Sequence, residues 1–302
     1  MIATSTTSAA PTPKASAEVT QHALHLRLAA LNAWRTKPTL DACVWHAGLA
    51  EELQLRREEA TFLEAERRAL APLLATVPKD PDAFMQWFEL LREGGPGQAD
   101  PLFPWLAEHA TLGELRWFLA QEIGGEAGFD DLVALTQVGF AERPKLEMAR
   151  NYWDEMGRGH AKGMHGPMLA DAAKELHVAA EPSTTVWQAL ALSNLMAGLA
   201  CNRHYAYQSV GALGAVEMTA PGRVALVNDG LRRLGVPPIG RRYFQVHAAL
   251  DIKHSEEWNR EVMRPLVVET PACAVALAEG ALLRLTFGQR CFARYRRNFG
   301  VR

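Results

Sequence analysis

Apolar residues recur at helical spacing from Val19 almost to the C-terminus, and no segment alternates apolar and polar residues as a half-buried strand would. The pattern predicts helices over 20–35, 39–76, 81–93, 112–124, 129–140, 142–156, 168–177, 184–210, 220–234, 240–264 and 268–298. The 39–76 span has the length of one long helix or two. Breaks fall at Pro78 and Pro81, the Gly94–Pro96 turn, Gly124–Gly125, Pro182, Pro221–Gly222 and Pro237–Pro238. Asp80-Pro81 and Thr219-x-Pro221 have the form of helix entries. The fold class is therefore all-α, a packed helical bundle.

The character of the chain changes along its length. Residues 1–19 are rich in Ala, Thr, Ser and Pro and read as a disordered tail without the apolar core of a secretory signal. Residues 20–95 are charged and heptad-like in places, as in Glu51-Glu52-Leu53-Gln54-Leu55-Arg56-Arg57-Glu58-Glu59, and read as an N-terminal helical extension with an amphipathic surface suited to a homodimer contact. Residues 96–302 form a more apolar helical domain.

Composition narrows the function classes. Apolar residues make up 48% of the 302, enough for a sizeable core. No run approaches the ~20 apolar residues of a membrane helix, since even Val186–Leu199 is interrupted by Gln188, Ser193 and Asn194. A net charge of −2 argues against nucleic-acid binding. Cys43, Cys201, Cys273 and Cys291 are scattered without a C-x-x-C, as expected of reduced thiols in a cytoplasmic protein.

Candidate chemistry concentrates in four places. In His247-x-x-x-Asp251-x-x-His254, positions i, i+4 and i+7 lie within about 60° on one helix face. Two imidazoles and a carboxylate on one stripe suit iron, manganese or zinc. Glu155 and His165 flank Gly157, Gly159 and Gly163. A regular helix would leave them about 80° apart, so both meet one ion only if glycine lets the helix bulge or break. His160 in the same segment is an alternative to His165. Glu122 and Glu217 each end a strongly apolar run, where a buried carboxylate needs a cationic partner. Glu126, one turn on, is an alternative to Glu122.

Taken in order, these residues resemble the heme-oxygenase-like diiron oxidases and oxygenases, a family of iron-containing redox enzymes. That pattern runs through Glu122, Glu155 with His165, Glu217, and the H-x3-D-x2-H of His247, Asp251 and His254, over roughly residues 100–298. Trp153-Asp154-Glu155-Met156-Gly157-x-Gly159 and Gly230-Leu231-x-x-Leu234-Gly235 add to the resemblance. It implies a heme-oxygenase-like bundle with two Fe(II) ions and O2 as cosubstrate. It further implies Glu155, His165 and His254 on one iron, Glu122, His247 and Asp251 on the other, and Glu217 bridging. An external electron donor and a small-molecule substrate complete the expectation, with no membrane or nucleic-acid partner.

The competing classes leave recognisable traces. A ferritin-like diiron site needs Glu-x-x-His motifs, and none of the ten histidines has Glu three residues before it. A heme oxygenase needs one axial histidine rather than this ligand set. A thiaminase-like relative would use a nucleophilic cysteine, but Cys201 in an apolar helix reads as core packing. A non-catalytic interaction scaffold would bind little iron. Among substrates, a small amino acid or amine is favoured over a fatty-acid-like chain undergoing oxidative decarboxylation, because Arg158, Arg203 and Tyr207 offer polar anchors. Helix 184–210 is expected to line the substrate cavity, and specialised metabolite biosynthesis is the expected setting.

Overall fold

The computed structural model describes residues 13–125 and 128–302, which form thirteen α-helices and no strand. They are α1 Pro13–Thr36, α2 Ala42–Leu74, α3 Pro81–Gly94, α4 Leu102–Glu108, α5 Leu112–Gly124, α6 Phe129–Thr136, α7 Glu142–Glu155, α8 His165–Glu175, α9 Trp187–Cys201, α10 Ala206–Arg233, α11 Pro238–Trp258, α12 Arg264–Glu269 and α13 Cys273–Phe299. The expected all-α bundle is what the chain forms. Entry signals work locally. Asp80 accepts from the amides of Asp82 and Ala83 ahead of Pro81 at the first helical position, and Thr111 with Glu114 closes a capping box.

Four features differ from the sequence pattern. The segment 184–210 is two elements, broken at Asn202. That residue is extended (φ −111°, ψ 114°), and its amide donates to the Gly198 carbonyl at 2.7 Å and to Glu59 at 2.9 Å, which closes off α9. Conversely, α10 runs through Pro221 without a stop. An interior proline costs a helix about 3 kcal/mol, and here packing on both sides outweighs it. The short α4, with Pro104 inside it, was not anticipated. At the N-terminal end, helix begins at Pro13 rather than after residue 19.

α10 lies at the centre, packed on α11, α13 and α4. It is long and apolar enough to cross a membrane, but more than half of that stretch is buried among its neighbours. Its contact with α13 is backbone to backbone. A Cβ on Gly211 would sit 1.9 Å from the Leu277 carbonyl oxygen, and one on Gly280 would sit 1.8 Å from that of Gln208. Only glycine permits this approach. One core cluster joins Leu63, Phe84 and Phe88 to α9, α10 and α13, and a second gathers Phe103, Phe118, Phe292 and Tyr295.

The N-terminal helices share this core. Leu63 and Leu70 of α2 belong to the first cluster, and Asn32 of α1 bonds Asn194 of α9 at 2.7 Å. Arg35 forks onto the buried Glu59 at 2.8 and 3.0 Å, the bidentate geometry that best offsets the burial of both charges.

Candidate metal centre

The stripe on α11 is realised. Ligand atoms of Glu217, Asp251 and His254 lie within 4.8 Å of one another, and those of Glu155, His165 and His247 form a second such group. α11 therefore contributes to both groups, α10 supplies Glu217, and the α7–α8 junction supplies Glu155 and His165. Glu155, His165, Glu217, Asp251 and His254 are all buried.

The junction solves the 80° problem by breaking the helix rather than bending it. α7 ends at Glu155 and α8 begins at His165, with two 3-10 turns between them. Met156 and Met164 pair as an isolated antiparallel bridge, so the loop closes on itself and sets its two ends side by side. His165 Nδ1 consequently lies 2.6 Å from Glu155 Oε2. Gly157 has φ +59°, and a Cβ there would be 2.3 Å from the Gly163 carbonyl carbon. The loop closes only because both positions are glycine. His160 is exposed at its tip, away from either group.

Two of the three histidines are oriented by a neighbour. His247 Nδ1 is 2.8 Å from the Tyr243 carbonyl. A carbonyl only accepts, so Nδ1 carries the proton and Nε2 is left free. His254 Nε2 is 3.1 Å from Asp154 Oδ2, which turns Nδ1 toward Glu217 Oε2, 3.5 Å away. Asp154 is held in turn by Arg158 at 2.6 Å, and Asn151 donates to Glu217 at 2.6 Å. Asp154, Asn151 and Tyr243 were not singled out from the sequence. Tyr243 stands one turn before His247 and Asp154 beside Glu155, which was the only available signal.

Electrostatics show how crowded the centre is. Burial, then the neighbouring Glu217 and Glu155 carboxylates, raise the Asp251 pKa well above the carboxylate range. Burial and the adjacent His165 lower His247 to about 4, leaving it neutral at pH 7. Burial also opposes charge on His254, but Glu217 and Asp154 outweigh it and raise its pKa to about 9. Three carboxylates converge in one buried space, an arrangement that divalent cations would offset. His165 Nδ1 and His254 Nδ1 are buried and make no hydrogen bond, although each faces a carboxylate oxygen. Once deprotonated, these nitrogens and the carboxylate oxygens they face make a mixed N/O donor set that fits iron.

The other sequence candidates lie elsewhere. Glu122 is outside both groups and faces Arg284, Arg223 and Tyr295. Burial raises its pKa, and those three neighbours oppose the rise. The cationic groups the structure places around it are guanidiniums. The sorting of ligands differs accordingly: His247 joins Glu155 and His165, while His254 joins Glu217 and Asp251. Glu126 lies outside the described residues. Arg158 is exposed and bound to Asp154. Arg203 donates to the carbonyls of Leu135 and Thr136, and Tyr207 stands edge-on to Phe140. None of these three lines the cavity beside the two groups: Arg158 lies exposed on the loop between α7 and α8, and Arg203 and Tyr207 follow the break at Asn202. α9 instead lines a cavity below Glu122 through Ala189, Leu192 and Met196. Burial raises the Cys201 thiol pKa, which disfavours a thiolate nucleophile.

A cavity of about 110 Å³ opens onto Glu155, His165, Glu217, His247 and Asp251, with Phe129, Leu169, Val216 and Val224 as apolar wall. Its chemistry is a mixed carboxylate–imidazole face opposite hydrocarbon.

Comparison with known proteins places this arrangement. No curated protein matches the chain. Among solved structures, a CADD-like protein of unknown function from Nostoc punctiforme is similar in fold, with a TM-score of 0.55 at 17% identity, covering 72% of this chain and 95% of that one. The profile of the iron-containing redox enzymes matches residues 116–289. That stretch is more than half of the chain and includes all six clustered carboxylates and histidines, and the protein belongs to the iron-containing redox enzyme family.

Proposed function

We propose that this chain is a non-heme diiron enzyme that uses two Fe(II) ions and O2 to oxidise a small amino acid or amine-type substrate, by N-oxygenation or by oxidative cleavage of a C–C or C–N bond. The observation that carries the reading is the pair of adjacent carboxylate–histidine groups, each with three potential ligands. Glu155, His165 and His247 would hold one ion, and Glu217, Asp251 and His254 the other. Iron bound there would supply the redox chemistry with O2.

The chain's own part is positional. The Tyr243 carbonyl holds the proton of His247 on Nδ1 and presents Nε2. Asp154 does the same for His254 with the nitrogens reversed, presenting Nδ1. Asn151 steadies Glu217. Leu169, Val216 and Val224 keep the open side of the centre dry, which limits loss of reactive species to water. Insertion of one oxygen atom into a substrate uses two of the four electrons O2 can accept, so an external donor would supply the other two.

The test is anaerobic titration of the metal-free chain with ferrous ion, followed by iron analysis and Mössbauer spectroscopy. The expected result is close to two irons per chain, then O2 uptake on exposure to air. Saturation near zero, or retention of heme instead, would overturn the reading.

A further inference from the structure

A second chamber, of about 140 Å³, adjoins the metal-centre cavity. The two share a wall of Leu169, Val216, Ala220, Val224 and Tyr243. Aromatic and aliphatic side chains make most of the second chamber, and its charged groups are Glu122, Arg223 and Arg284. Arg223 comes from α10, the helix that carries Glu217. Its guanidinium lies over the faces of Phe103 and Phe292, 5.9 and 5.4 Å from the ring centroids. It turns back one helical turn to donate from Nη2 to Thr219 Oγ1 at 3.0 Å. Among the described residues no carboxylate forms an ion pair with it. The chamber's lining sets two guanidiniums against one carboxylate, Glu122, so its charge is unbalanced toward the positive, and in an apolar enclosure a further anion would offset that desolvation. Burial, then Arg284, lower its pKa to about 9, and Glu122 offsets only part of that fall.

We infer that this chamber is a carboxylate-binding subsite, in which Arg223 receives the carboxylate of a small organic acid while the oxidisable end of the molecule reaches past Val216 and Ala220 to the metal centre. The oxidation rests on the diiron reading, whereas the binding stands without it. The planar fork of arginine matches a carboxylate with two parallel bonds, and the flanking rings hold that plane in place. Size follows from the helix. The guanidinium sits level with Thr219, two residues beyond Glu217 and so about 3 Å along the axis. A molecule of amino-acid size spans that offset. The carboxylate is anchored away from the ligand groups, so the atom oxidised is not the carboxylate carbon.

Calorimetric titration of the metal-free full-length chain with pentanoate, pentanamide and pentylamine tests this directly. Without metal, a carboxylate has no iron to bind. Pentanoate should bind about tenfold or more tightly than the isosteric amide, the scale of a charge-assisted bond. Arg223→Met should remove that preference, and Arg223→Lys should weaken pentanoate binding severalfold while retaining some preference. Circular dichroism checks that the variants fold, and if Arg223→Met does not, Arg223→Lys together with the wild-type preference decides. Equal binding of acid and amide, preference for the amine, or a preference that survives loss of the guanidinium would each overturn the subsite. Iron stoichiometry is measured separately, so a failed metal centre and a failed carboxylate subsite give different results.

Discussion

Glu217 and Glu122 stand in similar stretches of sequence and in opposite surroundings. Each closes an apolar helical run. Glu217 meets Asp251, His254 and Asn151, so its neighbourhood gathers negative charge and imidazole. Glu122 meets Arg223, Arg284 and Tyr295, and its neighbourhood is cationic without any metal. A carboxylate in an apolar run demands a positive partner, but the demand does not say whether that partner is a metal or a guanidinium. The difference is supplied by what crosses the helix: α11 brings His254 and Asp251 to Glu217, while α10 and α13 bring arginines to Glu122.

Replacement at these two positions should give the widest separation. Glu217→Gln should cut ferrous loading from about two to one or fewer per chain and abolish O2 uptake, whereas Glu122→Gln should leave loading near two. Iron analysis after anaerobic loading reads both. Equal loss of iron in the two variants would break the contrast and return Glu122 to the metal.

A change in the loop should split the two ligand groups. Gly157→Ala would force an L side chain into a left-handed conformation, 2.3 Å from the Gly163 carbonyl carbon. Glu155 and His165 should then separate. One iron should remain, held by Glu217, Asp251 and His254, and Mössbauer spectra should lose one of their two components. Full loading in Gly157→Ala would show that the closed loop does not set that group.

The smallest effects belong to the outer partners. Asp154→Ala removes the acceptor that turns His254, and losses of this kind weaken metal binding by about 10–100-fold. Loading should recover at excess iron. Arg158→Ala, which touches the centre only through Asp154 from an exposed position, should weaken binding far less, because exposed ion pairs contribute little. Competition with a ferrous chelator ranks the two. A larger loss in Arg158→Ala would place the arginine in the centre itself.

Legibility in the sequence followed the range of the interaction. His247, Asp251 and His254 were readable together because one helix repeat of 3.6 residues puts them on one face. Glu155 and His165 were readable as a pair, but the break between them was not, since it depends on two glycine backbones meeting across a loop. Arg203 and Tyr207 were read on a continuous helix facing the cavity, and the structure puts them outside its lining. A side chain of Asn202 reaching Glu59, distant in the chain, ends that helix early.

The sequence by itself determined the helical class, the three candidate ligands on α11, the demand of Glu122 and Glu217 for cationic partners, and the family to which the ordered set points. These are properties of spacing and of side-chain chemistry, and both are local. Only the tertiary structure decided which imidazole meets which carboxylate, that Glu122 faces arginine, and that Arg223 closes a chamber next to the metal centre. Those outcomes depend on how α10 crosses α11 and α13. Glycine at positions 211 and 280 sets the crossing of α10 with α13, and its meaning is visible only when the facing carbonyl is in place.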